Sequence, residues 1–145
     1  MNFKQINETN GHRTYVVILD AQEEAFSALS DFANAQGLTA ASVTAIGAFK
    51  EATVGWFDFA SRRYRRIPVD EQCEVLSLLG DIAVGDDGNA SLHLHAVLGL
   101  KDGSTRGGHF LDGIVNPTLE ATINETPTHL RRRHQQDLGI ALIEL

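Results

Sequence analysis

The chain has 145 residues, enough for one ordinary domain with a substantial core. Apolar residues make up 43% and charged residues 21%, as in soluble globular proteins, and no apolar run approaches the ~20 residues of a membrane span. The net charge of −7 disfavours nucleic acid as the main partner, because neutralising phosphates supplies most non-specific affinity.

Met1 to Asn10 is polar and lacks the apolar stretch of a signal peptide; it is expected to be a loose segment of a single domain spanning 1–145. The β-branched, apolar run His12–Asp20 predicts a first strand. Asp20, with Glu23 three residues on, has the form of a capping box. Phe26, Leu29, Phe32 and Ala33 then recur at helical spacing up to Gly37, predicting one main helix over about residues 21–36. Beyond Gly37 the period changes to that of strands. Ser42–Phe49 and Ala52–Phe59 are expected around a turn near Lys50-Glu51. Arg63–Val69, Glu74–Val84, Ser91–Leu100, Thr105–Leu111, Leu119–Asn124 and Gly139–Leu145 follow. Gly85–Asn89 and Lys101–Gly103 carry turn chemistry. The expected class is α+β, a mostly antiparallel sheet of about seven strands with one main helix and short helices. The lone Cys73 excludes an intrachain disulfide framework, makes the cytoplasm the expected compartment, and is expected to be buried.

Ser91–Leu98 alternates strictly, so Leu92, Leu94, Ala96 and Leu98 share one face while His93, His95 and Val97 share the other. If Lys101-Asp102-Gly103 is a three-residue hairpin loop with Gly103 left-handed, Leu100 pairs with Ser104 and His95 falls opposite His109. A two-residue loop would shift the register by one and turn His109 to the wrong face. Three neutral imidazoles on one face suit a divalent ion: zinc first, with nickel, iron or copper also compatible. Three protein ligands leave an open coordination position, as in catalytic zinc sites. A tight turn at Gly85–Asn89 would bring Asp81 beside His93 as an orienting carboxylate.

Ile46-Gly47-Ala48, Ala52–Asp58 and Glu74–Asp81, followed by Leu92-His93-Leu94-His95-Ala96-Val97-Leu98-Gly99 and Gly107-Gly108-His109-Phe110-Leu111, resemble the plants-and-prokaryotes-conserved (PPC) domain from Tyr15 to about Ile143. The resemblance implies an antiparallel-sheet domain with helices on one side, assembled as a homotrimer. It also implies a metal at the positions of His93, His95 and His109. Plant members follow AT-hook segments with an Arg-Gly-Arg-Pro core; this chain has none and resembles the stand-alone prokaryotic type. Members of that type carry a DNA-binding label, so a DNA-associated regulatory role is the alternative the resemblance implies, with a purely structural trimeric interaction module as a third.

Two arginine clusters remain. In Arg62–Arg66, Arg63 and Arg65 share one strand face; Arg131-Arg132-Arg133-His134 follows Pro127 in an expected loop. Arg63, Arg65, Arg131 and Arg132 are candidate contacts to an anion or a partner, set against the plainer role of edge charges that discourage aggregation. Together these residues point to a metal-binding domain that holds a small anionic or polar ligand at the open position, binding it or assisting a metal-dependent reaction.

Overall fold

In the computed structural model, which describes residues 1–145, nine strands and one helix follow the order β1 (Asn2–Thr9), β2 (His12–Asp20), α1 (Ala25–Ala35), β3 (Ala40–Asp58), β4 (Arg63–Val69), β5 (Cys73–Val84), β6 (Ala90–Gly99), β7 (Thr105–Glu125), β8 (Arg131–Gln135) and β9 (Ile140–Glu144). All strands belong to one sheet, ordered β1-β2-β7-β3-β5-β8-β9, with β4 paired to β3 and β6 paired to both β5 and β7. Since β3 also pairs with both β5 and β7, these four strands close into a ring of ladders. Neighbouring strands run antiparallel except for a single parallel pairing, Val84 with Arg131.

The inward faces follow from alternation. Leu92, Leu94, Ala96 and Leu98 on β6 are buried, as are Val43, Phe49 and Val54 on β3, and Phe110, Val115, Leu119, Ala121 and Ile123 on β7. Phe49 and Phe110 stack at 5.5 Å at the centre of this cluster. Helix α1 covers the sheet with Leu29, Phe32 and Ala33, and Phe32 meets Tyr15 of β2 edge-on at 5.4 Å. Cys73 is buried and unpaired, as expected, and burial pushes its thiol pKa up.

The helix starts later than its sequence suggests. Glu24 is the N-cap, its carboxylate accepting from the backbone N–H groups of Phe26 and Ser27. The Asp20–Glu23 contact does form, Asp20 N–H donating to Glu23 at 2.7 Å, but it closes the turn before the helix. At the other end Gly37 (φ +63°) is the left-handed stop; Leu38 donates to Ala33 and Gly37 to Asn34, a Schellman motif.

The sheet departs from expectation in four places. No turn occurs at Lys50-Glu51; β3 runs unbroken through it, with register shifts against β7 on both sides. Likewise, β7 continues through Pro117, joining the two strands expected over 105–111 and 119–124. Residues 2–9 form a strand, hydrogen-bonded to β2 across an Asn10-Gly11 turn in which both residues have positive φ (52° and 80°). The Arg131–His134 segment is also a strand, β8, in a hairpin with β9. No second helix accompanies α1.

Candidate metal centre and its cavity

The β6–β7 loop is the three-residue type: Gly103 has φ +82°, and Leu100 donates to Ser104 at 2.8 Å. Val97 therefore lies opposite Gly107 and His95 opposite His109. One ring nitrogen from each of His93, His95 and His109 lies within 4.8 Å of the other two. The Nε2 atoms of His93 and His95 are 3.2 Å apart. In a tetrahedral zinc site, ligand atoms at about 2.0–2.1 Å from the ion stand roughly 3.4 Å from one another, a spacing that the His93–His95 pair already has and to which the rest of the triad, within 4.8 Å, would close.

Close packing holds His109 in place. Tyr64 of β4 stacks on its ring with centroids 4.6 Å apart. Gly55 of β3, paired with His109, makes room for that stack, because a Cβ there would lie 2.9 Å from the Tyr64 ring. Gly108 is forced by the same crossing, since its Cβ would meet the Gly55 carbonyl oxygen at 2.5 Å. Burial, then His93, His95 and Arg132, push the His109 pKa down to about 4. His93 is lowered by burial, Arg132 and His95, with Asp81 opposing. Both rings are thus neutral at neutral pH, the form that coordinates metals. His109 Nδ1 is buried without a hydrogen-bond partner.

A cavity of about 290 Å³ opens beside the triad. His93, His109 and Tyr64 line one side; Arg132, His134 and Ala141, from the β8–β9 hairpin, line the other. A larger groove of about 610 Å³ lies elsewhere, around Ile46, Leu76 and Thr118, and contains no converging imidazoles. The chemistry is therefore placed in the smaller one.

The sequence profile of the Plants and Prokaryotes Conserved (PCC) domain, also abbreviated PPC, matches residues 6–127. The chain belongs to this family. No curated protein matches the sequence of this PCC domain. Among solved structures, a candidate DNA-binding protein of Bacteroides thetaiotaomicron is 27% identical with a TM-score of 0.88, covering 98% of this chain and 96% of that one. The plant- and prokaryote-conserved protein of Pyrococcus horikoshii is also 27% identical, with a TM-score of 0.85 over 99% and 95%. A metal-containing protein of Archaeoglobus fulgidus is 25% identical, with a TM-score of 0.84 over 100% and 99%.

The remaining candidate residues of this PCC domain fall into two groups. Asp81 does lie opposite His93, but its carboxylate accepts from Arg132, and no hydrogen bond joins it to the imidazole. Arg132 is not a surface contact: only 4% exposed, it donates to Asp81 and to the Ser91 carbonyl and hydroxyl. Its Nε–H is buried without a partner. Arg63, Arg65 and Arg131 are exposed and outside the cavity lining. The two clusters do approach one another, at a hydrogen bond from Arg62 to the Gln136 carbonyl. Tyr64 and the hairpin residues His134 and Ala141 were not legible as site residues. Tyr64's place on the opposite strand face from Arg63 and Arg65 was the only signal available.

Proposed function

We propose that this PCC domain holds a divalent metal ion on His93, His95 and His109, with zinc-like coordination and an open position toward the cavity. The observation that carries the reading is the convergence of three imidazole ring nitrogens within 4.8 Å, with no acid among them and with a buried imidazole nitrogen lacking any partner. The metal content of the Archaeoglobus fulgidus relative supports it. Such an ion would supply Lewis acidity at the cavity, and Tyr64, stacked on His109, orients one of the three rings that would hold it. A small anionic or polar ligand completes the coordination.

The test is elemental analysis of protein purified without chelator, beside a His93→Ala/His95→Ala double variant. Near-equimolar zinc, nickel, iron or copper in the parent, absent from the variant, is the expected result. Parent protein that arrives metal-free and takes up no added zinc would overturn the reading.

Self-association is the second part of the proposal. Ile46, Leu76, Leu79 and Val97 are 42–61% exposed. Leu79 pairs with His95 and Val97 with Ser77, which places this apolar surface beside the histidines. Exposed aliphatic groups clustered on one face mark an interface, and another copy of the chain, in the homotrimer the family resemblance implies, is the partner we assign. A DNA-associated role is the competing reading, favoured by the description of the Bacteroides thetaiotaomicron relative. Three of the clustered arginines are already paired, Arg66 with Asp112, Arg133 with Glu144 and buried Arg132 with Asp81, which leaves Arg62, Arg63, Arg65 and Arg131 exposed on a chain of net charge −7. No helix is long and apolar enough to cross a membrane; a cytoplasmic location rests on the lone, buried Cys73.

A further inference from the structure

The histidines lie within the residues matched by the family profile, 6–127, while the opposite wall of the cavity lies beyond them, on β8 and β9. That hairpin holds to the sheet by few backbone links. Val84 N–H donates to Leu130, Leu130 N–H to Thr39, and one ladder pair joins Val84 with Arg131. Side chains supply the rest: Arg132 reaches Ser91 and Asp81, and Asp86 accepts from the His134 N–H. Arg132, His134 and Ala141 share one face of the hairpin, because His134 is paired with Ala141 and Arg132 lies two residues before it, and all three line the cavity, Arg132 buried and the other two exposed.

The charge balance of this chamber is one-sided. A dication on three imidazoles keeps both its charges, since no ligand is a carboxylate. Asp81, the carboxylate next to His93, is already neutralised by Arg132. The Arg132 Nε–H is a donor that Asp81 and Ser91 leave over. Beyond it, Gly139 and Ala141 leave room on the wall, and the cavity of about 290 Å³ holds roughly ten water-sized groups at about 30 Å³ each. An occupant must therefore be small and bring negative charge.

We propose that the β8–β9 hairpin is the ligand-selecting wall of the histidine site, and that it admits a small molecule bearing a carboxylate or phosphate oxyanion. The oxyanion faces the metal and the Arg132 side, and the rest of the molecule lies against His134 and Ala141. This inference rests on the metal reading, and the experiment separates the two.

The full chain is loaded with cobalt(II), its metal content is measured, and its visible spectrum is titrated with sodium acetate and, separately, with inorganic phosphate at constant ionic strength. Parent protein is expected to give a saturable spectral change with at least one of the two, and which one identifies the oxyanion class. Ala141→Leu fills the cavity and His134→Glu sets a negative charge on its wall. Each is expected to weaken anion binding by about tenfold or more while cobalt stays equimolar. Leu138→Ala, in the hairpin turn and outside the cavity lining, is expected to bind like the parent. Equimolar cobalt with no anion response in the parent, or with unchanged affinity in both wall variants, overturns the selecting-wall inference and leaves the metal reading intact. Parent protein that takes up no cobalt overturns both.

Discussion

Tyr64 lies over His109 with ring planes 23° from parallel, and Gly55, on the strand between them, has no side chain to keep them apart. The stack fixes the orientation of one of three proposed ligands from outside the coordination sphere. Such supporting residues typically cost 10–100-fold in metal affinity when removed, so Tyr64→Ala is expected to weaken zinc binding by about tenfold. Tyr64→Phe keeps the ring and is expected to stay near the parent. Zinc affinity by competition with a chromophoric chelator checks both, and equal losses in the two variants would assign the effect to the hydroxyl.

Metal-free protein carries a pH signature from the same residue. His109 titrates near 4 in the folded chain against about 6.5 ordinarily, so between those values the unfolded chain takes up a proton that the folded one refuses. This residue leaves stability unchanged above about pH 6.5, lowers it as pH falls from there towards 4, and adds no further change below. His93, lowered for the same first reason, acts in the same direction. Urea midpoints of chelator-treated protein from pH 7.5 to 4.5 are expected to fall, and to fall less steeply in His109→Asn. Parallel slopes would place the titration elsewhere.

These two predictions rest on a register that local chemistry made readable. Lys101-Asp102-Gly103 sets the β6–β7 pairing within a dozen residues, and the strict alternation of Ser91–Leu98 names the histidine face. Non-local features were not readable. β3 and β7 run on through Lys50-Glu51 and Pro117, because they pair with each other along both halves across bulges, while the other edge of each changes neighbour, from β5 to β4 for β3 and from β6 to β2 for β7. Lys50-Glu51, polar and exposed at such a bend, imitates a turn. β1 is illegible for another reason: every one of its residues is exposed, so it carries no burial pattern, although Asn10-Gly11 is a strong hairpin signal. Arg132 was unreadable as a buried residue because its burial depends on Asp81, 51 positions earlier in the chain.

That Arg132–Asp81 pair gives the next prediction. Arg132 is 4% exposed while Asp81 is 34% exposed, so removing the carboxylate leaves a buried cation without its counter-charge. Breaking a fully buried pair costs about 3–5 kcal/mol; with one partner partly solvated, Asp81→Asn is expected to cost about 2 kcal/mol. Arg132→Met, which removes the charge that needs burying, is expected to cost less. Hydrogen exchange should localise the loss to β8 and β9, leaving β6 and β7 protected. Uniform loss of protection across the sheet would contradict the view of the hairpin as a separately anchored wall.

The apolar surface beside His95 predicts how the chain assembles. Leu79, 53% exposed, sits directly across the ladder from His95, with Val97 one strand-repeat further along β6. A glutamate at position 79 would set a desolvated charge in any interface formed there. Parent protein is therefore expected to sediment as an oligomer of three chains at micromolar concentration, and Leu79→Glu as a monomer. The monomer is expected to keep its metal, because all three proposed ligands come from one chain. Loss of metal together with assembly would mean that a neighbouring copy shields the exposed His95 edge and that the centre is completed only in the oligomer. A monomeric parent would remove the self-association reading and leave this face to another partner.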